Sequence, residues 1–157
     1  QMMAALKQLV PGAEAWPRFV QNRGEQFEGR FSLVEIMQSP AVLLVGMAGS
    51  QLPVAVAHGE GRAEFAAAIG AAQLVAAKQV AFRYVENGGA VAASYPANPN
   101  GSPLGIAAVT SHDGRVLLTM PHPERSFRIA QNSWYPPARG EFSGWMRLFR
   151  NARRFTA

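Results

Sequence analysis

A histidine and a glutamate two residues apart, His122 and Glu124, follow an apolar run that ends at Thr119. In an extended chain, residues i and i+2 point the same way. Pro121 and Pro123 flank the histidine and favour a stiff, extended backbone around it. A carboxylate in this position can accept the imidazole N–H, fix its tautomer and leave the other nitrogen free to move a proton. The segment therefore predicts an oriented general base, whose nucleophile has to come from elsewhere.

The composition restricts what that nucleophile can be. The chain has 157 residues, of which 48% are hydrophobic and 16% charged, and this is typical of one globular domain with a core. It has no cysteine, which excludes a disulfide framework, a cysteine zinc site and a thiol nucleophile within these residues. No apolar run is long enough to span a membrane, and the first residues lack a signal-peptide pattern. We expect a cytoplasmic protein, and a first residue that is Gln indicates a truncated chain.

The formal charge of +5 raises the question of a nucleic-acid partner. The positive charge, however, is concentrated near the C-terminus, where the last four arginines alternate with apolar residues in an amphipathic helical pattern. A helix face in solvent, or one packed on an acidic partner, is the favoured interpretation, and we expect no nucleic acid. The arginines in question are Arg125, Arg128, Arg139, Arg147, Arg150, Arg153 and Arg154.

The elements that must position these residues are mixed helices and strands, arranged as one domain without internal repeats. Apolar periodicity and turn residues predict each of them. The predicted helices cover residues 1 to 9, 63 to 77 and a segment from about 143. The predicted strands cover residues 31–36, 41–45, 54–57, 80–85, 90–94, 105–110 and 116–119, with a proline-rich connection at 136–137.

Other polar residues are weaker candidates. His58 lies in a glycine-rich turn after a predicted strand, where Gly59 and Gly61 would allow a ligand to approach the backbone closely. A turn histidine bonded to backbone is an equally good interpretation, and the segment matches no nucleotide-binding motif. His112 falls in a hairpin turn, and the three histidines lack metal-ligand spacing, so no metal site is predicted. Ser50 lacks the surroundings of a nucleophilic serine.

An apolar strand followed by His-Pro-Glu resembles the end of the catalytic triad in class I glutamine amidotransferases, in which an upstream cysteine is the nucleophile. The form at 120–128, Met-Pro-His-Pro-Glu-Arg-Ser-Phe-Arg, is similar to the glutaminase domains of the phosphoribosylformylglycinamidine synthase family. The combination with other blocks resembles the large, single-chain form of that family. These blocks are residues 17–22, 30–34, 46–53, 58–62, 95–102 and 145–153.

The resemblance implies an α/β chain with the three-layer, flavodoxin-like fold of class I glutamine amidotransferases and a mixed sheet. The nucleophile segment of the family resembles Gly-x-Cys-Asn-Gly-Cys-Gln-Met-Met, and this chain begins at Gln-Met-Met. The catalytic cysteine would then lie four residues before Gln1. Residues 1–157 would form a partial amidotransferase domain that lacks the N-terminal strands and the nucleophile elbow, and we expect it to be inactive alone.

The resemblance also implies roles for individual residues. His122 would protonate the ammonia that leaves glutamine, and Glu124 would orient His122. Gln1 would help to hold the substrate glutamine, and His58, Gly59 and Gly61 would line its pocket. Ammonia would pass to a synthetase domain of the same full-length chain, which uses ATP and magnesium to amidate formylglycinamide ribonucleotide in purine biosynthesis. No cofactor is implied for residues 1–157 themselves.

Two other functions stay open at the level of the sequence. One is a non-catalytic interaction module that kept the glutaminase fold without its nucleophile. The other is a basic nucleic-acid-binding domain, whose affinity would fall steeply with salt. Gly24, which stands where the family is expected to have a serine, is a departure within a loop.

Overall fold

The computed structural model describes residues 1–135 and 140–157. Its regular elements are three helices and seven strands within those ranges, joined by loops and short 3-10 turns. In chain order they are helix α1 (Met2–Ala5), strands β1 (Arg18–Val20), β2 (Glu28–Ile36), β3 (Gln51–His58) and β4 (Arg62–Glu64), helix α2 (Gly70–Ala76), strands β5 (Val80–Tyr84), β6 (Ile106–Thr110) and β7 (Leu117–Thr119), and helix α3 (Met146–Thr156).

Five strands form the main sheet in the order β3-β2-β5-β6-β7, and β1 pairs with β4 in a separate two-stranded ribbon. Strand β2 alternates between buried and more exposed residues, as a strand with one face on a core does. Val34 and Ile36 point to that core, and so do Val54 and Val56 of β3. Each pairing in the described ranges is antiparallel.

Two hydrophobic clusters cover the sheet. The first joins strands β2, β3 and β5 to Trp145 at the start of α3. The second joins Leu74 of α2 and Phe19 of β1 to strands β6 and β7. Strand β6 is buried at every residue, so both of its faces are covered. The predicted α/β class is therefore confirmed, with helices contributing to the core on either side of the sheet as a three-layer fold requires.

The two outer strands of the main sheet are brought together by a curl. The backbone N–H of His122, three residues after β7, donates to the carbonyl of Ala55 in β3 at 2.7 Å. Next to it, the indole N–H of Trp145 donates to the carbonyl of Pro53 at 2.8 Å. The outer edge of β3 is thus covered by the segment that follows β7, and this places His122 against β3.

The sequence prediction was wrong at residues 41–45, which form a 3-10 turn at Val42–Leu44 instead of a strand. The backbone N–H of Val42 donates to Gly114 rather than to a strand, and the side chain of Asn151 donates to the carbonyls of Leu43 and Val45. An apolar run is compatible with any buried segment, and here helix α3 supplies the burial.

Three other boundaries differ from prediction. The alanine-rich helix begins only at Gly70, because Ala63 pairs with Phe19 in the β1–β4 ribbon. Residues 90–94 contribute a single bridge, between Val91 and Val85, instead of a full strand. Helix α1 ends at Ala5 and is followed by a 3-10 turn. The proline-rich connection at 136–137 lies outside the described residues.

Candidate active site

The backbone around His122 changes direction at the histidine itself. Residues up to His122 are extended, and Met120 donates its N–H to the carbonyl of Ala107 at 3.1 Å. His122 is then the residue that precedes a 3-10 turn at Pro123–Arg125, with proline in the first position, where no N–H is needed. Glu124 therefore lies in a turn and not in the extended chain that the i, i+2 argument assumed. The two side chains nevertheless meet.

The Nδ1 atom of His122 lies 2.7 Å from Oε1 of Glu124. A carboxylate oxygen can only accept, so Nδ1 carries the proton and Nε2 of a neutral ring keeps its lone pair. The histidine side chain is 29% exposed and the glutamate 54% exposed, so the pair is open to a substrate. Arg125 lies 3.8 Å from the same oxygen of Glu124, at the outer side of the pair.

Backbone contacts hold the histidine in place. Its N–H donates to Ala55, and its carbonyl accepts the backbone N–H of Arg125 at 3.0 Å. The hydroxyl of Ser126 donates to the same carbonyl at 3.3 Å. With both backbone groups occupied, His122 presents an imidazole that is oriented by Glu124 and mounted on the edge of the sheet.

His58 is the last residue of β3, on the core side of the strand, and only 9% exposed. Neither ring nitrogen reaches a partner with hydrogen-bond geometry in the described part of the chain, although the backbone of His58 itself acts on the ring. Burial lowers the pKa of His58 below its usual 6.5, and a charged His122 lowers it further, while the backbone of His58 itself and Glu28 act in the opposite direction. His122 is bridged to Ala55, three residues before His58 on the same strand, so both histidines lie at the same end of β3.

The turn after β3 contains Gly59 and Gly61, and Gln1 reaches this turn through Glu60. The side-chain amide of Gln1 donates to the carboxylate of Glu60, between the two glycines, and to the carbonyl of Phe19. His112, by contrast, lies in the exposed turn between β6 and β7. Within residues 1–135 and 140–157, no three histidine, aspartate or glutamate side chains group closely enough to hold a metal ion.

Two residues that the sequence did not single out also belong to this region. Asn22 and Asn100 are both buried, and their side chains bond the backbone of Gly61. Each lies in a segment of the family resemblance, residues 17–22 and 95–102, but nothing in their sequence surroundings indicates burial. Asparagines in loops are ordinarily exposed turn residues.

One cavity of the described structure borders the His122–Glu124 pair, and a larger one lies elsewhere. A depression of about 160 Å³ is lined by Glu124, Pro123 and Leu117 together with side chains of α3. A larger apolar cavity of about 460 Å³ is lined by residues such as Phe31, Leu52 and Trp134, and its lining contains neither His122 nor Glu124. We assign the chemistry to the oriented histidine, since an apolar cavity alone supplies no reacting group. No helix in the described ranges is long and apolar enough to cross a membrane.

Comparison with known proteins bears on the fold and on the family of the chain. A solved structure described as PurLQS from Thermotoga maritima shares the fold with a TM-score of 0.62 at 22% sequence identity. The match covers 90% of this chain and 53% of that chain, so this chain spans about half the length of the protein it matches. Residues 1–156 match the family described as "CobB/CobQ-like glutamine amidotransferase domain". Because that match runs along nearly the whole sequence, the chain belongs to the CobB/CobQ-like glutamine amidotransferase family.

Proposed function

We propose that this chain is the glutaminase part of a phosphoribosylformylglycinamidine synthase of the large, single-chain form. Family membership, the fold shared with PurLQS and the sequence block at 120–128 support the proposal. The ammonia released from glutamine would serve the ATP- and magnesium-dependent amidation of formylglycinamide ribonucleotide by a synthetase domain of the same protein. We also propose that the protein acts in the cytoplasm and catalyses a step of purine biosynthesis.

The observation that carries the proposal is the 2.7 Å contact between Nδ1 of His122 and Oε1 of Glu124. It leaves Nε2 as the atom that moves protons. A cysteine thiolate would attack the side-chain amide carbon of glutamine, and protonated Nε2 would donate its proton to the nitrogen, so that the C–N bond breaks and ammonia leaves. Neutral Nε2 would then take a proton from water, which attacks the thioester and releases glutamate and the thiolate.

The nucleophile of this reaction is not among the 157 residues, which contain no cysteine. By similarity to the family motif, we propose that the nucleophile is a cysteine N-terminal to Gln1. Residues 1–157 alone should then not hydrolyse glutamine. Gln1, whose amide reaches Glu60, would contact substrate beside the turn of Gly59 and Gly61. His58 is buried, and burial lowers its pKa, so we assign it to the floor of that pocket and not to proton donation.

The test is His122→Ala in the full-length protein. We expect glutamine-dependent turnover to fall by at least about 10³-fold, because Nε2 moves every proton of the reaction. Turnover supported by free ammonia should stay within about twofold, since ammonia bypasses the glutaminase. Steady-state rates with each nitrogen source provide the measurement.

His112→Ala is the matched control, since His112 is an exposed histidine in the β6–β7 turn and the proposal gives it no role. Equal loss of the glutamine- and ammonia-dependent rates in His122→Ala would indicate a folding role and contradict the proposal. An unsubstituted full-length protein that does not hydrolyse glutamine would instead favour a non-catalytic interaction module.

A further inference from the structure

Asn22 holds the turn that follows strand β3 at three points. Its side-chain NH₂ donates to the carbonyl of His58 at 2.8 Å, and its side-chain oxygen accepts the N–H of Gly61 at 3.0 Å. Its backbone N–H donates to the carbonyl of Gly59 at 2.8 Å. One buried residue therefore satisfies backbone groups of three of the four residues from 58 to 61, at the point where the pairing of β3 with β2 ends.

Asn100 holds the same turn from a different loop. Its side-chain NH₂ donates to the carbonyl of Gly61 at 2.8 Å. Its side-chain oxygen accepts both the backbone N–H and the hydroxyl of Ser102, at 3.0 Å and 2.7 Å. The Ser102 hydroxyl in turn accepts the N–H of Ala63, the residue after Arg62 in β4. The loop at 98–102 is thereby tied to the end of the turn that enters β4, whereas Asn22 bonds the end that leaves β3.

The turn held in this way lies directly on the imidazole of His58. A Cβ atom at Gly61 would overlap with the ring of His58, so glycine at this position lets the backbone pack on the ring. The same turn carries Glu60, which accepts the amide of Gln1. Glycine-rich turns are mobile unless other groups fix them, because glycine has the largest backbone freedom. The two asparagines provide that fixation.

We propose that Asn22 and Asn100 are positioning residues, which fix the backbone of Gly59–Gly61 against His58 and so keep the wall of the glutamine pocket rigid next to His122. This proposal rests on the glutaminase function proposed above. The asparagines touch neither the substrate nor the reacting atoms, and they act through the turn that they hold. Loss of the fixation should weaken the binding of glutamine and leave the proton-transfer pair in place.

The test is Asn22→Asp in the full-length protein. Aspartate has the shape of asparagine and keeps an acceptor for the N–H of Gly61, but it replaces the donor to the carbonyls of His58 and Gln26 by a charged acceptor. We expect the KM for glutamine to rise at least tenfold, with ammonia-supported turnover within twofold of the unsubstituted protein. Should Asn22→Asp fail to fold, Asn22→Ser takes its place, because serine keeps a short acceptor without a charge.

The chain offers a closely matched control at Asn151. This buried asparagine also donates its side-chain NH₂ to two backbone carbonyls, those of Leu43 and Val45, but it does so at helix α3. Asn151→Asp should leave the KM for glutamine unchanged, whatever it does to stability. Equal KM values in Asn22→Asp and the unsubstituted protein, or equal increases in both variants, would overturn the positioning role.

Amide hydrogen exchange of the same full-length variants separates the two proposals. If the unsubstituted protein does not hydrolyse glutamine, the glutaminase proposal fails, and exchange at residues 58–61 then decides the role of the asparagines. Faster exchange of this turn in Asn22→Asp than in Asn151→Asp would support fixation of the turn. Equal exchange in the two variants would overturn it.

Discussion

The imidazole of His58 is a titratable group that the fold buries, and no other side chain of residues 1–135 and 140–157 gives it a hydrogen bond. It lies at the end of β3, under the turn of Gly61 and opposite Glu28. An unpaired imidazole is tolerated in such a position because it is uncharged, and burial lowers the pKa of His58 to favour that form. The charged form would also be repelled by a protonated His122.

This environment predicts a pH dependence of stability. The pKa of His58 is 6.5 in the unfolded chain and lower in the folded one, so between these values the unfolded chain binds more protons. Above pH 6.5, His58 therefore does not reduce the free energy of unfolding. As the pH decreases from 6.5 toward the lowered pKa of the folded state, the free energy of unfolding falls. His58→Gln should remove this part of the slope in denaturant unfolding measured from pH 8 to pH 5.

His112→Gln serves as the control for that experiment, because His112 is exposed in a turn. Its slope should match that of the unsubstituted protein. If the slope between pH 7 and pH 5 were the same with and without His58, the buried imidazole would not be the group responsible.

At the scale of elements, the turn between β6 and β7 is fixed by bonds from its own side chains. The carboxylate of Asp113 accepts the hydroxyl of Ser111 at 2.6 Å and the N–H of Arg115 at 3.1 Å, and these bonds lower the pKa of Asp113. Gly114 has φ +72°, and its carbonyl accepts the N–H of Val42. The turn thus also anchors the 3-10 segment at Val42–Leu44.

We expect Gly114→Ala to destabilise the protein by at least about 2 kcal/mol. A Cβ atom there would overlap with the carbonyl of Pro40, and its φ disfavours any other residue type. Gly88→Ala is the control, since Gly88 has open space around it in the turn after β5. Its effect on the free energy of unfolding should stay within about 0.5 kcal/mol. Similar effects of the two substitutions would contradict this account of the turn.

Elements with a local cause were the predictable ones. Strands β2 and β3, the β6–β7 hairpin and helix α3 lie where alternation, Asp113-Gly114 and the amphipathic pattern predict them. The apolar run at 41–45 and the alanines at 63–69 were misassigned, because the partners that decide their structure, Asn151 and Phe19, are remote in sequence.

The candidate site likewise contains contacts between sequence neighbours, which could be predicted, and contacts between remote residues, which could not. His122 and Glu124 are neighbours in sequence, so the spacing predicts their contact, even though a 3-10 turn and not an extended chain produces it. The fixation of the Gly61 turn joins residues 22, 61 and 100, and no local pattern could have indicated it. Contacts between distant loops arise only when the sheet is assembled.

The molecule as a whole has an uneven distribution of charge. Residues 115–157 contain eight arginines and two glutamates, whereas the remainder of the chain is close to neutral. Arg153 and Arg154 lie in the last turn of α3, where positive charge is favoured by the helix dipole. Arg128 pairs with Glu141 at 3.2 Å. Four of the eight arginines lie in α3, and Arg125 lies beside the His122–Glu124 pair, so the positive charge extends from the candidate site to α3.

The curl of the whole molecule depends on Trp145, which connects α3 to the outer edge of β3. Its side chain is fully buried, its ring lies 5.3 Å from that of Phe82, and its indole N–H donates to the carbonyl of Pro53. Trp145→Phe keeps an aromatic ring but removes the donor to the carbonyl of Pro53. The smaller ring also leaves a gap beside that carbonyl. We expect a loss of about 2–4 kcal/mol in the free energy of unfolding, from the unsatisfied carbonyl and the cavity together.

Denaturant unfolding of Trp145→Phe is compared with that of Trp134→Phe. Trp134 is 80% exposed, so its replacement is the same chemical change outside the core. Trp134→Phe should change stability by less than about 0.5 kcal/mol. The curl brings His122 against the same edge of β3, two residues from Pro53, so loosening of this edge should also increase amide exchange at His122, whose N–H is bonded to Ala55. A stable Trp145→Phe variant with unchanged exchange at His122 would mean that the sheet stays closed without the bond from Trp145 to Pro53.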